Sequence, residues 1–191
     1  GTHLTKRVYI PFGPVATTPA GWNRLSNPAA GTSLVDMKNT DGDATSVTLT
    51  VVERFNAHNT VGAATTTTDF NMPASVSGTN FYGNTKAFNG ITVPQSKIKL
   101  SGLDKTKKYN LCYFGSRMSV TDNRETAYIA NGKTEVRVNL NVSGNSSNTV
   151  CADDVQPNDD GEIIITITVG PNNNNSTGFY HITAMRISPG S

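Results

Sequence analysis

The chain has little cysteine, little charge and no long apolar run, and each shortage removes a class of function. Two cysteines, Cys112 and Cys151, are too few for a disulfide framework and lack metal-ligand spacing. They form either one bridge or two buried thiols, and adjacency within a sheet is open because both lie in β-compatible runs. A charged fraction of 16% and a net charge of +2 leave no basic stripe for nucleic acid. No segment approaches the ~20 apolar residues that insert across a bilayer. No charged, apolar, small-residue leader opens the chain, so any export signal is expected to have been removed. Among the histidines His3, His58 and His181 none belongs to a partner motif, and His58 reads as an exposed loop residue. There is no Gly-x-Ser-x-Gly turn, no phosphate-cradling glycine loop and no Cys/His cluster. Accordingly no catalytic residue, cofactor or metal ligand is assigned.

What the chain does have is Thr, Ser and Asn between short apolar runs. Val8 to Phe12 reads as a strand whose Pro11 belongs at an edge or an end. Ser33 to Met37 and Ser46 to Arg54 follow, with Val47, Leu49 and Val51 alternating against Thr48, Thr50 and Val52. Between them Asn39-Thr40-Asp41-Gly42-Asp43 places three oxygen-bearing side chains at alternate positions. It lacks the glycine placement and distal glutamate of a calcium loop, and an Asp-Gly hairpin turn accounts for it. Residues 56–90 are the least legible, with a short strand expected at Asp69 to Met72 and Gly/Asn punctuation around Phe81 and Tyr82. Strands resume at Ile91 to Val93, Lys97 to Leu100, Leu111 to Phe114, Glu125 to Ala130, Glu135 to Asn141, Thr149 to Val155, Glu162 to Val169 and Phe179 to Ile187. No amphipathic helix emerges. Many short strands with regular turn signals predict an all-β, antiparallel β-sandwich of the jelly-roll type. One domain over 1–191 is expected, with flexible ends at 1–6 and 188–191.

Tyr109 to Gly132 holds two strands around a polar loop, Ser116 to Arg124, and such loops commonly carry binding chemistry. Sugar recognition needs planar donors and acceptors for vicinal hydroxyls and an aromatic face for the ring. Arg117, Asp122, Asn123 and Arg124 supply the first; Trp22-Asn23 and Tyr180-His181 are candidates for the second. Each has a structural alternative. The arginines can brace the loop through Asp122 or Glu125, and Trp22 can anchor its own loop beside Leu25. Carboxylate pairs for a glycosidase could come from Asp153, Asp154, Asp159, Asp160 and Glu125, all in turn-like contexts. Asn141, Asn145 and Asn174 stand in Asn-x-Ser glycosylation contexts.

Several short motifs occur in a telling order: Val8-Tyr9-Ile10-Pro11-Phe12-Gly13, Trp22-Asn23, Leu100-Ser101-Gly102-Leu103-Asp104 with Tyr109, and Phe114-Gly115-Ser116-Arg117. Asn123-Arg124-Glu125-Thr126-x-Tyr128, Gly161-Glu162-Ile163 and Tyr180-His181-Ile182 complete it. Together they resemble the galactose-binding-domain-like β-sandwiches found beside esterase and glycosidase domains in secreted bacterial polysaccharide-degrading proteins. The resemblance implies a jelly roll, export to the periplasm or cell surface, and a carbohydrate-binding or accessory role with a glycan ligand. An adjacent catalytic domain is the implied partner and is absent from these residues. Two alternatives stay open: a small glycan-active hydrolase using a carboxylate pair, and a structural or adhesive surface domain.

Overall fold

Period-two alternation of apolar and polar residues becomes strands throughout the computed structural model, which describes residues 4–14 and 16–191. In chain order these are β1 (Val8–Pro11), β2 (Ser33–Leu34), β3 (Thr48–Glu53) and β4 (Ala57–Asn59), then one helical turn, α1 (Ala74–Ser77). β5 (Asn80–Phe88), β6 (Ile91–Val93), β7 (Ser96–Ser101), β8 (Tyr109–Phe114) and β9 (Glu125–Asn131) follow. The chain continues with β10 (Glu135–Asn141), β11 (Val150–Val155), β12 (Ile163–Val169), β13 (Phe179–Ile182) and β14 (Ala184–Pro189).

Two antiparallel sheets, ordered β1-β14-β8-β11 and β10-β9-β12-β7-β3-β2, face each other. From β7 to β14 the chain repeatedly passes from one sheet to another, which is the winding of a jelly roll. Val8, Ile10, Leu111, Met185 and Ile187 of the first sheet meet Leu49, Val51, Ile98, Leu100, Ile163, Ile165 and Ile167 of the second in one buried core. Each such side chain contributes about 2 kcal/mol of burial. Tyr113 and Tyr128 stack across the gap at 4.6 Å, one from each sheet. Pro11 lies on β1, an edge strand where a missing amide costs nothing.

The outward positions of the first sheet are also covered. Tyr9, Cys112, Phe114 and Ala184 pack beneath Phe70, Met72 and Val76, with Trp22 against their rim. Cys112 and Cys151 are direct cross-strand partners in β8 and β11 and form a disulfide. A third sheet, β13-β5-β4 with β6 paired to β5, sits beside the sandwich.

Several expectations are corrected. Asp69 to Met72 is no strand; it precedes the helical turn and delivers Phe70 and Met72 to the outer cluster. Asn80 to Phe88 is the longest strand and was hidden by residues that read as turn signals. Asn80 and Asn84 are buried with bonded side chains, and a Cβ at Gly83 would overlap the Tyr180 ring. Phe179 to Ile187 is two strands, broken where the Thr183 amide donates to Phe114 O and its carbonyl accepts from Phe12 N. That break sends β13 to the third sheet and β14 to the first. Of Ser33 to Met37 only Ser33 and Leu34 form a strand, and Met37 bonds separately, its amide donating to Val47 O and its carbonyl accepting from Thr45 N. His58 is exposed but lies on β4 rather than in a loop. At the ends, Leu4 is buried in the core, and β14 pairs with β8 as far as Pro189; residues 1–3, including His3, lie outside the described residues.

Candidate functional site

On β13 the alternation of side chains sends Tyr180 inward and sets Phe179 and His181 on the opposite face. The register aligns His181 with Tyr82 of β5, and three further two-residue periods bring Phe88 to the same side. Asn59 of β4 and the loop arginines Arg117 and Arg124 complete the wall of a hollow of about 300 Å³. Its aromatic members touch edge to face: Tyr82 to Phe179 at 5.6 Å, Phe88 to Phe179 at 4.9 Å. All three rings are partly exposed, so the hollow presents an apolar wall to solvent. Four other hollows carry no aromatic side chain in their linings.

Arg124 is held from several directions. Its amide donates to Asn141 Oδ1 and Ser143 Oγ, fixing the entry to β9. The guanidinium lies 5.1 Å above the Phe179 ring, a cation–π distance. Its Nε donates to Asp122 Oδ1 at 3.1 Å, and Asn175 Nδ2 donates to Asp122 Oδ2 at 2.7 Å. Burial works against ionisation of Asp122, yet the Asn175 and Arg124 hydrogen bonds and the Arg124 charge keep its pKa below the ordinary carboxylate value.

The tautomer of His181 follows from its partners. Asn80 Nδ2 donates to Asn59 Oδ1, so Asn80 Oδ1 is the acceptor facing His181 Nδ1 at 3.0 Å. Nδ1 therefore carries the proton, leaving Nε2 to accept from Arg124 Nη1 at 3.4 Å. Burial, then the charges of Arg124 and Arg117, hold the His181 pKa well below 6.5, so the ring is neutral. The result is a continuous hydrogen-bonded chain from Asn59 through Asn80, His181, Arg124 and Asp122 to Asn175.

Arg117 is less constrained. One Nη1 donates to Met118 O, while Nε and Nη2 have no partner among the described residues. Burial lowers its pKa, and the neighbouring Arg124 lowers it further. Arg117 and Ser143 form a parallel bridge, and the amide of Arg117 donates to Val142 O, so the backbone under this side chain is fixed.

Of the residues selected from sequence, the structure brings Arg117, Arg124 and His181 to the hollow, with Asp122 behind them. Asn123 is a turn residue: its Oδ1 accepts from Glu125 N and its backbone exchanges bonds with Asn174. Tyr180 is not at the surface. It is fully buried, donating to Val93 O at 2.7 Å and meeting Ser96 Oγ at 2.9 Å. Trp22 and Asn23 lie elsewhere, on the outer face of the first sheet. Trp22 stacks on Tyr9 at 4.4 Å, and Asn23 bonds Tyr9 O, Lys38 O and Lys38 N, which is the anchoring arrangement. Sequence reasoning missed Asn59, Tyr82, Phe88 and Phe179. Equal parity of Tyr82 with Phe88, and of Phe179 with His181, was the available signal.

The remaining polar motifs are committed to structure. Asn39 Oδ1 accepts from the amides of Asp41 and Asp43, and Gly42 takes the positive φ of the hairpin. Asp153, Asp154, Asp159 and Asp160 are exposed, on β11 and the turn before β12, and Glu125 binds Asn172 through both oxygens.

No family model matches the chain, and no curated protein matches it. Among solved structures it is similar to the carbohydrate-binding module TmCBM61 in complex with beta-1,4-galactotriose, at 15% identity and a TM-score of 0.35. That similarity covers 58% of this chain and 69% of the other. It is also similar to the plant receptor-like kinase ANX1, at 12% identity and a TM-score of 0.39, over 84% of this chain and about half (53%) of that one.

Proposed function

We propose that this chain is a carbohydrate-binding β-sandwich whose ligand rests in the hollow of Tyr82, Phe88, Phe179, Arg117 and Arg124. The observation that carries this reading is the partly exposed aromatic wall beside arginines with free donors. A sugar ring presents a C–H face to an aromatic side chain and hydroxyls to planar donors, and the hollow offers both within one concave surface. The His181–Arg124–Asp122 chain positions Arg124 before any ligand arrives, which lowers the ordering cost of binding. The lining residues include no carboxylate, and Asp122 beside them has both oxygens bonded, which favours binding over glycoside hydrolysis. The disulfide supports export to an oxidising compartment, and an accessory role beside a catalytic domain fits a site that binds without reacting.

A glycan array probed with labelled protein tests this reading, with Phe88→Ala as the paired variant. Retention of a defined glycan set is expected, with affinity reduced roughly tenfold in the variant, since losing one stacking ring costs about 1 to 1.5 kcal/mol. Absence of retention, or equal binding by the variant, contradicts it.

A further inference from the structure

The charges around the hollow do not balance. Arg117 and Arg124 both line it, whereas the carboxylate beside them, Asp122, has one oxygen bonded to Arg124 and the other to Asn175. His181 is enclosed, and its Nδ1 proton is engaged by Asn80. Glu125, next along the chain, is turned to Asn172. One positive charge is thus left over at the mouth, on a side chain whose Nε and Nη2 are without protein partners among the described residues. A guanidinium edge with two free N–H groups is the shape that pairs with a planar carboxylate through parallel hydrogen bonds. The aromatic wall stands beside it, so a group stacked on Phe88 and Phe179 would carry its anion toward Arg117.

We infer that the ligand is an acidic sugar, with its ring against Phe88 and Phe179 and a ring-borne carboxylate on Arg117. This rests on the sugar-binding reading above and narrows it to uronic acids and other carboxylate-bearing sugars. Val142 and Ser143 fix the backbone beneath Arg117 and Met118 O accepts from its Nη1, so the cation already lines the hollow in the free protein.

Calorimetric titration with matched trimers tests it: galacturonate against galactose, glucuronate against glucose, and mannuronate against mannose, each in 50 mM and 500 mM salt. In at least one pair the acidic trimer is expected to bind about tenfold tighter at low salt, with most of that advantage lost at high salt as the pair is screened. Arg117→Met should weaken the acidic trimer about tenfold more than its neutral partner, so that the two bind alike, while Arg117→Lys should retain part of the advantage as a point charge. Thermal melts of both variants check that they are folded. If neutral and acidic trimers bind equally, the carboxylate assignment fails and the sugar reading stands. Tighter binding of a sulfated trimer than of the uronide also overturns it. Failure of every trimer to bind overturns both.

Discussion

Two arginines in this molecule are built almost alike and sit in different surroundings. Arg124 lies 5.1 Å over Phe179 and 3.1 Å from Asp122; Arg186 lies 5.0 Å over Phe70 and 3.0 Å from Asp69. They are 9% and 8% exposed. The difference is in the rings. Phe70 is buried among Tyr9, Met72 and Val76, with Trp22 at the rim, so the chain fills its own aromatic niche. Phe179 shares a wall with Tyr82 and Phe88 that remains partly open. A cation over an aromatic ring is therefore no mark of a binding site by itself. The mark is whether the protein has already supplied the occupant.

This contrast can be broken most forcefully from the closed side. Phe70→Ala removes a buried ring and the support under Arg186, and should cost about 3 to 4 kcal/mol in a denaturant melt. Glycan affinity should stay the same at temperatures where the variant is folded; a parallel loss of affinity would join the two regions. Reduction of the Cys112–Cys151 bridge, which closes a loop of 39 residues beside Arg186, should cost about 3 to 4 kcal/mol, again with binding intact.

Acidification acts on the open side. His181 is neutral in the fold with a depressed pKa, so between that value and 6.5 the unfolded chain binds the extra proton. Stability is complete above 6.5 and declines as pH falls toward the folded pKa, by up to about 1.4 kcal/mol per pH unit. Melts at pH 7 and pH 5 should show this drop in the native protein and a flatter profile in His181→Gln, which keeps an acceptor for Arg124. An unchanged slope in the variant would place the sensitivity elsewhere. The smallest expected stability effect is that of Phe88→Ala, about 1 kcal/mol, because its ring is already partly in water.

The sandwich was legible because its inner faces repeat with period two, as in Val47, Leu49 and Val51 or Ile163, Ile165 and Ile167. The third sheet was not, because its central strand carries Asn80, Gly83 and Asn84, residues that mark turns when exposed but here fill buried space. That single misreading concealed Tyr82 and Phe88, two of the three rings beside the hollow's arginines. Arg117 and Arg124 were found because a polar loop between two apolar strands stands out locally, and His181 was selected with Tyr180 as a candidate ring contact. Tyr180 and Trp22 were drawn in by composition alone; a tyrosine hydroxyl satisfied by Val93 and Ser96, 87 and 84 residues away, has no local signature.

The single tryptophan separates the two regions in one experiment. Trp22 reports on the closed niche, while the guanidinium and amide signals of Arg117 and Arg124 and the amide of Phe179 report on the hollow. In a heteronuclear NMR titration with a glycan retained on the array, the hollow signals should shift in saturable fashion and the Trp22 indole N–H should stay in place. A saturable shift of the Trp22 indole with the Arg117, Arg124 and Phe179 signals unmoved would contradict the assignment of the open hollow as the binding site.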